Sequence, residues 1–178
     1  MPVVEFSALP PQARVWIFAS DRALTGGEAE TLLGEVDRFL EQWKAHGAPL
    51  RSARDWRDER FLAIGVDPTA EQASGCSIDG LFRGLRELER SLGTQLVGGG
   101  RVFYRDAGGR AQMTTRRDAP MVIEPETAVY DTSVTDARAY REAFVRKASE
   151  SWVRSLLPAQ ASQESSRSAT NASSVRDG

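Results

Sequence analysis

The chain has 178 residues, enough for one domain with a proper core, and its formal net charge of −2 gives no electrostatic reason to expect nucleic acid or an acidic membrane surface as partner. A single cysteine, Cys76, excludes an internal disulfide and any multi-cysteine zinc or iron–sulfur site. No apolar run approaches the roughly 18 residues of a membrane span, and no charged-then-apolar leader opens the sequence, so a cytoplasmic protein is expected.

The first element is "ARVWIFAS" (13–20), a short run whose residues of both parities are apolar, which predicts a strand buried on both faces. "LTGGE" follows. Thr25 as N-cap, Glu28 three residues on and Leu24 as staple form a capping box. Ala29, Leu32, Leu33, Val36, Phe39, Leu40 and Trp43 then recur at helical spacing, and "HGAP" is expected to stop the helix, with Gly47 at C′. "LRSARDWRDERFLAIGVD" (50–67) splits into a polar strand, a turn at Asp58–Glu59, and a second strand apolar on both faces. From Ser77, a stripe of Ile78, Leu81, Phe82, Leu85, Leu88 and Leu92 predicts a second helix closed by Gly93. "GGGRVFYRDAGGRAQMTTRR" reads as a hairpin turning at Gly108–Gly109.

This order is β-α-β-β-α-β, the ferredoxin-like pattern of an α+β fold. In that topology the first and third strands are central, which suits the two strands apolar on both faces. The helices cover one face of the sheet. The other needs a cover, either from the rest of the chain or from a second copy in a homodimer through the open sheet face. A C-terminal β/α extension is available: a strand in "TAVYDTSV" (127–134), a helix in "TDARAYREAFVRKA" with Thr135 as N-cap, and a short terminal helix in "ESWVRSLL" (150–157). The expected domain is 1–157, and the Ser-rich tail 158–178 has almost no large apolar residues and reads as disordered.

Few residues carry candidate chemistry. Cys76 falls at the start of the second helix, where unpaired N–H groups and the helix dipole favour a thiolate. Asp67 and Asp79 oppose it, and a cysteine nucleophile normally has a histidine partner. The sole histidine, His46, is expected at the far end of the sheet, on the reading that both helices begin at the same end. On that reading Ser20, Arg22, Thr25, Asp67, Cys76, Ser77 and Asp79 converge on one corner, with Arg22 and two helix N-termini suited to an anion. Cys76, Asp79 and Asp67 are the catalytic candidates. Arg22, Thr25, Ser77 and Trp56, a tryptophan in the polar strand, are the binding candidates. Paired carboxylates at Asp67 and Asp79 could bind magnesium, but Asp67 precedes Pro68 and "GVDP" reads as ordinary turn chemistry, so no metal or cofactor is expected. The glycines at 26–27 and 98–100 lack the spacing of a phosphate-binding loop, and neither lysine, Lys44 or Lys147, lies in them.

"ARVWIFASDRALT", "WKAHG", "RFLAIGVD", "ASGCSIDG" and "ESWVRSLL" together resemble a family of small uncharacterised bacterial proteins, found largely in the Bacteroidetes and often labelled "ABC transporter ATPase". The resemblance spans roughly residues 5–157 and implies no activity, substrate or catalytic residue. The chain has no Walker A motif, so that label does not fit it.

These features lead to two expectations of different kinds. The first is a non-enzymatic binding or interaction domain for an unknown protein or small ligand, with neither nucleic acid nor membrane as partner. The alternative is a small enzyme whose site lies at the N-termini of the two helices and uses Cys76 or the Asp67/Asp79 pair.

Overall fold

The computed structural model describes residues 3–69 and 71–158; the tail read as disordered lies, save for Pro158, outside them. After a 3-10 turn at Phe6–Ala8 come β1 (Arg14–Ala19), α1 (Gly26–Gln42), a small hairpin of β2 (Lys44–Ala45) and β3 (Ala48–Pro49), a longer hairpin of β4 (Ser52–Arg57) and β5 (Phe61–Val66), and α2 (Gly75–Leu92). The second half holds β6 (Arg101–Arg105), β7 (Ala111–Thr115), α3 (Ala119–Val122), β8 (Ala128–Tyr130), α4 (Ala137–Ala143), β9 (Val145–Lys147) and 3-10 turns at Ala148–Glu150 and Trp152–Leu156. The protein is a mixed α+β molecule with four α-helices among the described residues and antiparallel sheets.

Both long helices start where their capping residues require. The Thr25 hydroxyl accepts from the Glu28 N–H while the Glu28 carboxylate accepts from the Thr25 N–H, which satisfies two otherwise orphaned donors. Ser74 caps α2, and Gly93 closes it in the left-handed conformation (φ 60°) that a residue without Cβ adopts at little cost. Gly47 has a different role from the one expected. The helix ends at Gln42, and His46 (φ 51°) and Gly47 (φ 85°) form the turn of the β2–β3 hairpin, since two successive positive φ angles make the tight turn that matches strand twist. Asp58 (φ 51°) and Glu59 (φ 56°) turn the β4–β5 hairpin, where the sequence places it.

The first sheet has the order β1-β5-β4, antiparallel throughout. Central β5 is buried along its whole length. Leu62, Ile64 and Val66 pack under α1 and α2 with Leu32, Val36, Leu40, Leu81 and Leu85, while Phe61 and Ala63 face the opposite layer. This is the period-two alternation of a strand covered on both sides.

Three corrections follow from this sheet. The strand after α2 does not return beside β1; β6 pairs with β7 and β8 in a second sheet of order β7-β6-β8-β9. β1 therefore lies at the end of its sheet rather than in its centre. Second, the far face of the sheet is covered by the same chain. Phe6 and Leu9 from the N-terminus and Phe103, Tyr130, Tyr140 and Phe144 from the second half join Val15, Ala19, Phe61 and Ala63 in one buried cluster. Phe61 stacks on Tyr130 with ring centroids 4.3 Å apart. Among the described residues both faces of the first sheet are thus covered by the chain itself.

The third correction concerns direction. Because β5 runs antiparallel to β1, α1 begins at the end of the sheet where β1 finishes, and α2 begins at the opposite end. The two helix N-termini do not converge.

The C-terminal elements differ in detail from expectation. α4 is capped by Asp136, whose carboxylate accepts from the Ala139 N–H, rather than by Thr135, whose carbonyl is taken by the Val15 N–H at 2.8 Å. The terminal segment is 3-10 rather than α.

Candidate functional site

The residues singled out in the sequence separate into two groups at opposite ends of the first sheet. At the start of α1, Arg22 grips Glu28 through two bonds, Nη1 to Oε2 at 2.9 Å and Nη2 to Oε1 at 2.6 Å, and Nη2 also reaches the carbonyl of Leu92 at 2.8 Å. A cation on the last carbonyls of α2 is favourable for the helix dipole, so Arg22 locks one helix end to another. The Arg22 guanidinium, with the N–H and hydroxyl of Thr25, pulls the Glu28 carboxyl down to about 2. Thr25 is engaged in its capping box. Ser20 is buried and its hydroxyl bonds Thr94 Oγ1 at 2.7 Å.

At the other end, Cys76 is exposed in the first turn of α2, and Asp79 is exposed on the same helix. Ser77 is buried; its hydroxyl donates to the Ser74 carbonyl at 2.8 Å and its own carbonyl accepts from Trp43 Nε1 at 2.9 Å. That bond brings the end of α1, and the His46 turn just beyond it, to the end of the sheet where Cys76 lies. The histidine is not remote in the way the sequence reading expected. Asp67 is buried with its oxygens committed: Oδ2 takes Arg51 Nη1 at 2.6 Å, and Oδ1 takes the Thr69 N–H at 2.9 Å and Oγ1 at 2.6 Å. Burial raises its pKa, but the Thr69 and Arg51 bonds outweigh this and hold it below the ordinary value. Among the described residues no group of three or more His, Cys, Asp or Glu side chains is placed to hold a metal ion. Trp56 is half-buried against the helix-side core rather than presented to solvent.

A wide concavity lies elsewhere. A groove of about 600 Å³ runs along β1, between the helix layer and the second sheet. Phe82 and Leu96 wall it on the helix side; Arg101, Phe103, Arg116 and Trp152 come from the second half of the chain. Its volume lies within the ~300–1,000 Å³ range common for ligand sites. The Arg101 guanidinium sits 5.5 Å from the Phe103 ring centroid, and that of Arg116 sits 5.0 Å from the Trp152 ring. Arg101 bonds the carbonyls of Gln95, Leu96 and Gly98, and desolvation lowers its pKa from the ordinary arginine value. Neither arginine forms an ion pair among the described residues, and no acidic side chain is among the residues that line the groove, although the Asp21 and Glu89 carboxylates lie near enough to act on the Arg101 charge.

No family model matches the chain, nor does any curated protein or any solved structure. The fold and the groove therefore define the protein by themselves: an α+β domain with an arginine-bearing cleft along an edge strand.

Sequence reasoning missed Arg101, Arg116 and Trp152 because they meet only across the second sheet. The signal in the sequence is the glycine run 98–100, whose spacing does not fit a phosphate loop. Those glycines line the groove, where the absence of side chains leaves it open.

Proposed function

We propose that the protein is a cytoplasmic, non-enzymatic binding domain whose ligand occupies the groove along β1. The observation that carries this reading is the cleft itself, ligand-sized, apolar-walled and bearing two arginines that form no ion pair among the described residues. Apolar walls supply affinity and a few placed charges supply orientation, the usual division of labour in ligand sites. We also read β1, α1, β4, β5 and α2 as a ferredoxin-like order whose fourth strand has been displaced into the second sheet. The groove then occupies the position that strand would fill.

The enzymatic alternative draws on the exposure of Cys76 in the first turn of α2. Its anion-binding neighbours were to be Arg22 and Thr25, and these lie at the opposite end of the sheet. Asp67 is already committed to Arg51 and Thr69.

The test uses 1-anilinonaphthalene-8-sulfonate, an apolar probe with one negative charge, against the native protein and the Gly99→Trp variant. Gly99 lines the groove and nothing lies within 4 Å of a Cβ built there, so a tryptophan is accommodated at the groove wall without backbone strain. Saturable binding by the native protein, with amide shifts at groove residues and loss in Gly99→Trp, is expected. Equal binding by both proteins overturns the reading.

A further inference from the structure

We propose that the ligand of this groove is an extended peptide segment, with acidic residues alternating with apolar ones, that adds to β1 as the missing fourth strand of the first sheet. The inference rests on the groove being the binding site.

Its basis is the hydrogen-bonding state of β1. The even-numbered residues of the strand face β5, as the Ser20 N–H to Arg60 carbonyl bond at 2.8 Å continues to indicate just past its end. The odd-numbered residues direct N–H and C=O away from β5. At the start of that free edge the Val15 N–H donates to the Thr135 carbonyl at 2.8 Å, and beyond its end the Asp21 N–H donates to the Gln95 carbonyl at 3.1 Å. Between these anchors the Val15 C=O and both backbone groups of Ile17 and Ala19 have no partner among the described residues. Val15 and Ala19 are buried and Ile17 is half-buried, so these groups are recessed in a cleft of the fold. Backbone groups removed from bulk water carry a desolvation cost unless paired, and an incoming strand supplies donors and acceptors at the matching spacing.

Charge and shape select the occupant. A strand laid along β1 directs alternate side chains to opposite faces. One set meets the apolar wall formed by Phe82 and Leu96, and the other meets the half of the cleft that carries Arg101 and Arg116. A second copy of this chain is disfavoured, because its own β1 edge is equally recessed and would bring the same arginines against these. A slender acidic segment meets both requirements.

The probe is a short labelled peptide alternating valine and glutamate, compared with its valine–lysine counterpart and with two N-methylated forms, one methylated on the valine amides and one on the glutamate amides. Binding is read by anisotropy and by hydrogen exchange. The glutamate peptide is expected to bind saturably, to slow exchange at the Ile17 and Ala19 amides, and to weaken at least about tenfold in one of its two methylated forms. The lysine peptide should bind at least about tenfold more weakly, and Arg116→Glu should narrow that preference. The inference is overturned if both methylated forms bind unchanged, if Ile17 and Ala19 remain unprotected, or if the peptide fails to bind while the naphthalene sulfonate probe still enters the groove. In the last case the binding-domain reading survives without it. Failure of both ligands removes both.

Discussion

The indole Nε1 of Trp43 donates to the carbonyl of Ser77 at 2.9 Å, tying the end of α1 to the first turn of α2. This bond shows in one contact that the two helices are antiparallel neighbours. It is also why the candidate corner separates into two ends, with Arg22 and Thr25 at one and Cys76, Ser77 and Asp79 at the other.

Trp43 is 3% exposed, so its replacement separates packing from hydrogen bonding. Trp43→Phe removes the indole donor and is expected to lower unfolding free energy by about 1 kcal/mol in urea denaturation. Trp43→Ala also empties the core between Trp16 and Phe39 and should cost ~3–5 kcal/mol. Equal losses from the two variants would mean that the packing contributes little.

Gly65 has a requirement that lies wholly in its surroundings. A Cβ there would lie 2.3 Å from Leu9 Cδ1 and 3.3 Å from the Phe6 ring, and Leu9 is only 2% exposed. Gly65→Ala should therefore destabilise by ~1–3 kcal/mol through overpacking. Adding Leu9→Ala should offset part of that loss, since the two residues share one space. Additive losses in the double variant would contradict the clash.

Acid sensitivity should show the Glu28 contribution. Its carboxyl falls from 4.5 unfolded to about 2 folded. Stabilisation from the ionised form is thus fully present above pH 4.5 and is lost as pH falls towards 2. Asp67 acts in the same direction below its ordinary 3.8. The stability difference between native protein and Glu28→Gln, measured by denaturant unfolding, should shrink steadily between pH 4.5 and pH 2. A difference constant across that window would contradict the linkage.

Cys76, free and exposed, should be alkylated by iodoacetamide in the native protein with the fold retained. Cys76→Ser should shift stability by no more than about 0.5 kcal/mol, as surface substitutions usually do. Modification much faster than that of a free thiol at pH 7 would favour the enzymatic reading instead.

Local chemistry was legible wherever a few neighbouring residues decide the conformation. The Thr25–Glu28 capping box, the Gly93 close of α2, the Asp58–Glu59 turn and the hairpin at Gly109 are all settled within a short span of chain. The two strands apolar on both faces were also legible, because both faces of the first sheet are covered. Thr135 was misjudged as a cap by one residue, since the choice between it and Asp136 depends on the distant Val15 N–H that takes its carbonyl.

By itself the sequence determined where the first long helix begins, to within about two residues where the second does, which strands are doubly buried, and that a single cysteine rules out an internal disulfide. Propensity, capping and period-two or period-3.6 patterning operate over a few residues. Only the tertiary structure decided that β6 leaves β1 for a second sheet, that α1 and α2 start at opposite ends, and that Arg101, Arg116 and Trp152 share a cleft with the unpaired edge of β1. Strand partners and their direction are selected by long-range burial and by backbone pairing between segments far apart in the chain. An apolar strand looks the same in sequence whether another strand or a groove lies beside it.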